Sequence, residues 1–139
     1  MALNVTISTD ELHALLEAGF LLRERAEIDK AGDVFAGVIA LRPDIEIAHL
    51  GLANILEIQG KDDEAGKILE ELTKRSPSSA MAYMQLGEFY HTHEKKEEAL
   101  KALDKAIELD AGGPFAESAR AIKALVEEGV GYQYKMKGA

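Results

Sequence analysis

A chain of 139 residues, 47% apolar and poor in proline, has room for one domain with a continuous core and is not a disordered chain. Sixteen Lys and Arg stand against 25 Asp and Glu, a formal charge of −9. Without a basic stripe to displace counterions, no nucleic-acid partner is expected.

The absence of cysteine rules out disulfides and thiolate metal sites, and it fits a reducing compartment. The N-terminus MALNVTISTDELHALL lacks the basic-then-apolar order of a signal peptide, and no apolar run approaches a membrane span. A soluble cytoplasmic protein with no membrane partner is expected.

Residues 1–7 read as a loose lead-in. Ser8-Thr9-Asp10-Glu11 matches a capping box, in which Ser8 caps backbone N–H groups and Glu11 reaches back. A first helix is predicted from there to about Arg25, and a second over about Ile28–Leu41, stopping before Pro43. Asp44 is placed to cap the third helix, which Gly60 ends, and Asp62 starts the fourth, which ends near Arg75. After the connector Ser76-Pro77-Ser78, helices are predicted over about Ser79–His93 and Lys96–Leu109. Pro114 suits the first turn of a last helix, Phe115 to about Glu128. The terminal GVGYQYKMKGA reads as a flexible tail (129–139), with a strand added to a partner as the alternative.

One pattern recurs along these helices. Tyr83, Leu86, Gly87, Tyr90, Ala99, Leu103 and Ala106 shift back by 34 residues onto His49, Leu52, Ala53, Leu56, Ala65, Leu69 and Leu72. A further shift reaches Leu15, Ala18, Gly19, Leu22, Ala31, Phe35 and Val38. Self-similarity at this period is the signature of a tetratricopeptide repeat array. The expected fold is all-α: a tetratricopeptide-repeat superhelix of three helix-turn-helix repeats (12–45, 46–79 and 80–113) and a C-terminal capping helix at about 114–128, forming a single domain over 1–128. Small residues, Gly19, Ala53 and Gly87 with Ala31, Ala65 and Ala99, stand where helices cross closely, and Phe35, Leu69 and Leu103 are the knobs between hairpins. Gly32, Gly37 and Gly66 fall inside second helices, where close packing or local flexibility would account for them.

The resemblance to tetratricopeptide repeats implies a concave groove lined by the first helix of each hairpin. Its lining would be His13, Leu16, Glu17, Phe20 and Arg23 in the first repeat, then Ile47, Leu50, Gly51, Asn54 and Glu57. In the third repeat it would be Met81, Met84, Gln85, Glu88 and His91. Six of these, Leu16, Phe20, Ile47, Leu50, Met81 and Met84, are apolar, which suits an apolar peptide segment. Gly51 is expected to leave a notch for close approach of the ligand backbone, so that Gly51→Arg would block ligand without unfolding the domain. The Lys, Arg and Asn set by which some repeat domains hold a C-terminal carboxylate is missing apart from Asn54.

The short acidic array, with AGFLLRERAEIDKAGDVFAGVIALRPDIEIAHLGLANIL at residues 18–56, also resembles the class II chaperones of bacterial type III secretion. That resemblance implies a cytoplasmic chaperone shielding an apolar segment of a secretion substrate, although the family's longer N-terminal helical segment is missing. The alternative is a scaffold that assembles a multiprotein complex through its convex face or ends. Self-association into a homo-oligomer stays open.

No catalytic residue, metal ligand or cofactor is expected, and the protein is not read as an enzyme. His91 and His93 lie two apart on one helix and cannot share a metal, and His49 reads as a packed core residue. The carboxylate runs Asp62-Asp63-Glu64 and Glu97-Glu98 are explained as helix starts and solvated faces.

Overall fold

The structure, a computed structural model, describes residues 6–130. Seven helices account for the regular structure among the described residues: α1 (Thr9–Glu24), α2 (Ile28–Leu41), α3 (Glu46–Ile58), α4 (Asp62–Arg75), α5 (Ala80–Thr92), α6 (Lys96–Leu109) and α7 (Pro114–Glu127). They fall into two compact units, Met1–Leu72 and Thr73–Ala139, divided within α4. The terminal segment read as a tail lies, beyond Val130, outside the described residues.

Local bonds account for several of the helix ends. At α1 the capping box forms: the Ser8 N–H donates to Glu11 Oε2 at 2.8 Å and the Glu11 N–H to Ser8 Oγ at 3.2 Å. The bond from the Ser8 N–H, and with it the Ser8 hydroxyl, holds the Glu11 carboxyl below its ordinary value. Asp44 does not cap α3. The N-cap is Ile45, and Asp44 instead receives both Arg42 Nε (3.0 Å) and Nη2 (2.8 Å) in a two-point pair.

The first helices of the three repeats share one stop. Ala26, Gly60 and Glu94, spaced by the repeat period, adopt φ of 62°, 77° and 60°, the left-handed region. Paired backbone bonds close each stop: Ala26 N–H to Arg23 O and Glu27 N–H to Leu22 O, then Gly60 to Glu57 and Lys61 to Leu56, then Glu94 to His91 and Lys95 to Tyr90. Only the middle stop carries the glycine that this backbone favours, so the two flanking ones hold a strained residue against the bonds they gain.

In the first unit α1 packs on α2, and α2 on α3. The Phe35 ring is fully buried there between two glycines. A Cβ on Gly19 of α1 would stand 2.9 Å from Phe35 Cε1, and one on Gly51 of α3 would stand 2.7 Å from the same atom. Phe20 meets the ring edge-on, with centroids 5.0 Å apart. Around it lie Ala31 and Ile55, while Leu12, Val38 and Ala48 form the neighbouring cluster. Gly32 is a packing glycine, its missing Cβ 3.1 Å from Ile55 Cγ2, whereas nothing lies within reach of Gly37. His49 is buried as expected, its Nε2 2.8 Å from the Pro43 carbonyl.

The second unit is built on Ala99, Leu103 and Ala106 of α6 with Ala119 and Val126 of α7. Gly87 of α5 stands to Leu103 as Gly19 does to Phe35: a Cβ there would lie 2.6 Å from Leu103 Cγ. Asp110 starts α7 from a distance, its Oδ2 accepting from the N–H of Phe115 (2.9 Å) and Ala116 (3.3 Å). The space beside it is open because position 113 is a glycine; a Cβ there would run into the Asp110 carboxylate. None of the described helices is long and apolar enough to cross a membrane.

Candidate functional site

The site expected from the repeat pattern lies on the first helices, and the first unit carries two of these, α1 and α3. On α1, His13 and Glu17 are exposed, and Leu16, Phe20 and Arg23 are half-buried. On α3, Ile47 is exposed at 39%, Asn54 and Glu57 are half-buried, and Leu50 and Gly51 are buried. In the second unit Met81, Met84, Gln85, Glu88 and His91 of α5 are all half-buried.

Two expectations are corrected. Gly51 is not a notch for a ligand: its open side is filled by the Phe35 ring, so a side chain there would strike the core. Leu50, at 9% exposure, is a core residue, and of the six apolar positions only Ile47 is exposed. Leu16 and Phe20 divide themselves, packing partly against the Phe35 cluster and keeping part of their surface in water. Met84 does the same against the α6–α7 cluster.

A polar arrangement joins α1 and α3 across these residues. Arg23 Nη1 donates to Asn54 Oδ1 at 2.9 Å, while its Cζ stands 5.4 Å from the centre of the Phe20 ring. The Phe20 ring is itself braced edge-on by Phe35. At the far end of α3, Gln59 Nε2 donates to Asp29 Oδ1 of α2 at 2.8 Å. Among the described residues no group of three His, Cys, Asp or Glu is arranged to hold a metal ion.

This architecture is all-α and has the tetratricopeptide-repeat fold. The tetratricopeptide-repeat family models match residues 48–79 and 67–114. Among solved structures, PcrH from Pseudomonas aeruginosa superposes with a TM-score of 0.77 at 20% identity, over 94% of this chain and 98% of that one. The Yersinia enterocolitica type III secretion chaperone SycD, solved with a peptide of the translocator YopD, gives 0.75 at 21%, over 91% and 96%. The first tetratricopeptide domain of Spaghetti (RPAP3), bound to an HSP90 peptide, gives 0.72 at 17%, over 91% and 98%. A search of curated proteins by sequence returned no match. The chain therefore resembles class II secretion chaperones in fold, a fold that it shares with the Spaghetti domain.

Proposed function

We propose that this protein binds an extended, apolar segment of a partner protein along the faces of its first helices, and that it serves as a cytoplasmic chaperone for a type III secretion substrate. The observation that carries the reading is the first unit's partly open apolar set. Ile47 is 39% exposed, and Leu16 and Phe20 keep part of their surface in water although a buried core lies beside them. Apolar surface of this kind, at helix-spaced positions, is stabilised by covering it with another apolar chain. Met81 and Met84, half-buried at the matching positions of α5, add flexible, polarizable surface of the same kind. The finer assignment to secretion draws support from the fold likeness to PcrH and SycD, the latter solved with a translocator peptide.

The test is a pull-down from the native host with identification by mass spectrometry, run with the wild type and Ile47→Glu. Ile47 is exposed, so the charge disturbs the face without entering the core, as Leu50→Glu would. The expected result is a secretion substrate with an apolar segment, recovered by the wild type and lost with Ile47→Glu. Partners that Ile47→Glu retains, and that changes at α7 release, would instead identify a scaffold acting through its ends.

A further inference from the structure

The one cation on the expected binding face of the first unit is paired with an amide, not an acid. The chain carries 25 Asp and Glu, yet among the described residues Arg23 meets no carboxylate; its partners are the Asn54 Oδ1 and the face of Phe20. Glu57, one turn beyond Asn54 on α3, is engaged in an interaction of its own.

The chemistry of this pair is one-sided. A guanidinium has only donors, so the Asn54 amide must turn its oxygen toward Arg23, and its nitrogen is left as a donor. The remaining Arg23 N–H groups and the Asn54 amide N–H groups therefore offer hydrogen bonds and accept none. The cation–π contact with Phe20 and the bond to Asn54 restrict the fork before anything binds, so less side-chain freedom is lost on binding. Phe20 lies against it, and apolar Leu16 and Ile47 follow two helical turns away on α1 and α3.

We propose that Arg23, oriented by Asn54 and Phe20, selects an acidic side chain within the bound apolar segment. This inference rests on the peptide-binding reading and names a feature of that ligand. A single guanidinium matches a single carboxylate, and an internal Asp or Glu lets apolar residues of the same segment continue onto Leu16, Phe20 and Ile47. The ligand is thus an extended segment, apolar overall, with one acid set among its apolar residues.

The experiment is selection from a random peptide display library on immobilised full-length protein, repeated with Arg23→Ala, Arg23→Glu and Arg23→Lys, each checked for helicity and thermal stability. Wild-type selection is expected to enrich Asp or Glu at one position among apolar ones. Arg23→Glu is expected to replace that acid with Lys or Arg, and Arg23→Lys to keep the acid with weaker enrichment. In a synthetic, N-acetylated and C-amidated version of the selected peptide, Asp→Asn is expected to weaken binding about tenfold, the scale of a charge-assisted bond.

Acid-free wild-type peptides, or the same peptides selected by Arg23→Glu, overturn this inference and leave peptide binding standing. So does a requirement for a free C-terminus with an internal acid dispensable, which assigns Arg23 to a terminal carboxylate. A lowered melting temperature in Arg23→Ala with unchanged peptides makes the pair a staple between α1 and α3 and overturns it too. Enrichment of no peptide at all overturns both this inference and the reading beneath it.

Discussion

The glycine at position 51 is set by the knob at position 35, and the coupling between the two is measurable. A methyl group added at Gly51 would lie 2.7, 2.8 and 2.9 Å from Phe35 Cε1, Cζ and Cδ1, against a comfortable carbon–carbon separation of about 3.5–4.0 Å. The ring has no room to retreat, because Phe35 is fully buried and Gly19 and Phe20 hold its other sides. Alanine is favoured over glycine inside a helix by about 1 kcal/mol, and overpacking costs about 1–3 kcal/mol. Gly51→Ala should therefore destabilise by about 1 kcal/mol net when the ring is present. In a Phe35→Leu background, itself destabilised by about 1–2 kcal/mol through lost volume, the same change should be neutral or stabilising. Urea unfolding of the four proteins followed by circular dichroism closes the cycle, with an expected coupling of about 1–2 kcal/mol in favour of the double variant. If Gly51→Ala stabilises the protein with Phe35 in place, or the two changes simply add, the steric reasoning is refuted. Gly51→Arg is then expected to lower the fold's stability, not merely ligand affinity.

Three further outcomes follow from local geometry. Gly37→Ala, in an exposed helical position with nothing within reach of the new methyl, should raise stability by about 0.5–1 kcal/mol in thermal melts. Glu94→Gly relieves a left-handed residue at φ 60°; after the added freedom of the unfolded chain is subtracted, a gain of up to about 1 kcal/mol should appear as a raised melting temperature. Glu11 has a carboxyl lowered in the folded state, chiefly by its bond to the Ser8 backbone, so its contribution is present above its unfolded value. That contribution should fade as pH falls through the folded value, visible as the loss of the slower Ser8 amide exchange that the wild type shows at higher pH relative to a Glu11→Gln control.

The repeat period was legible because Gly19, Ala53 and Gly87 with Ala31, Ala65 and Ala99 are packing residues, and packing repeats wherever the geometry repeats. The two glycines of the Phe35 clamp show the limit. Gly19 sits at the expected helix-crossing position, but Gly51 falls on the face reserved for ligand, and only the location of the Phe35 ring tells the two roles apart. Capping was legible at Ser8, where the partner is three residues away, and not at Asp44, whose carboxylate Arg42 captures first. The first and fifth helices end where the sequence places their ends, near Arg25 and His93, but the left-handed residues that follow, Ala26 and Glu94, are not glycines and are held by bonds to the preceding turn. For the candidate site, each half of the Arg23–Asn54 pair falls on the expected face. Their meeting depends on how α1 is set against α3, a matter of register across 31 residues that no local pattern encodes.

Two of the three buried side chains on the last helix are alanines, with Ile122 packed half-buried against the same cluster. Ala116 and Ala119 are fully buried, and Val126 is the larger buried side chain on α7. An alanine removes little apolar surface from water, so each such contact contributes a fraction of what a buried leucine does. Its start depends on one carboxylate, Asp110. Regions with few large apolar contacts open at a lower free energy than the global transition. In the second unit α7, tied to α6 by the Lys123–Asp104 ion pair, is therefore expected to open at a lower free energy than the α5–α6 pair around Gly87 and Leu103. The unit would then exist in a closed and an opened form, and any partner that covers Ala99, Ala106 and their neighbours would draw on the opened one.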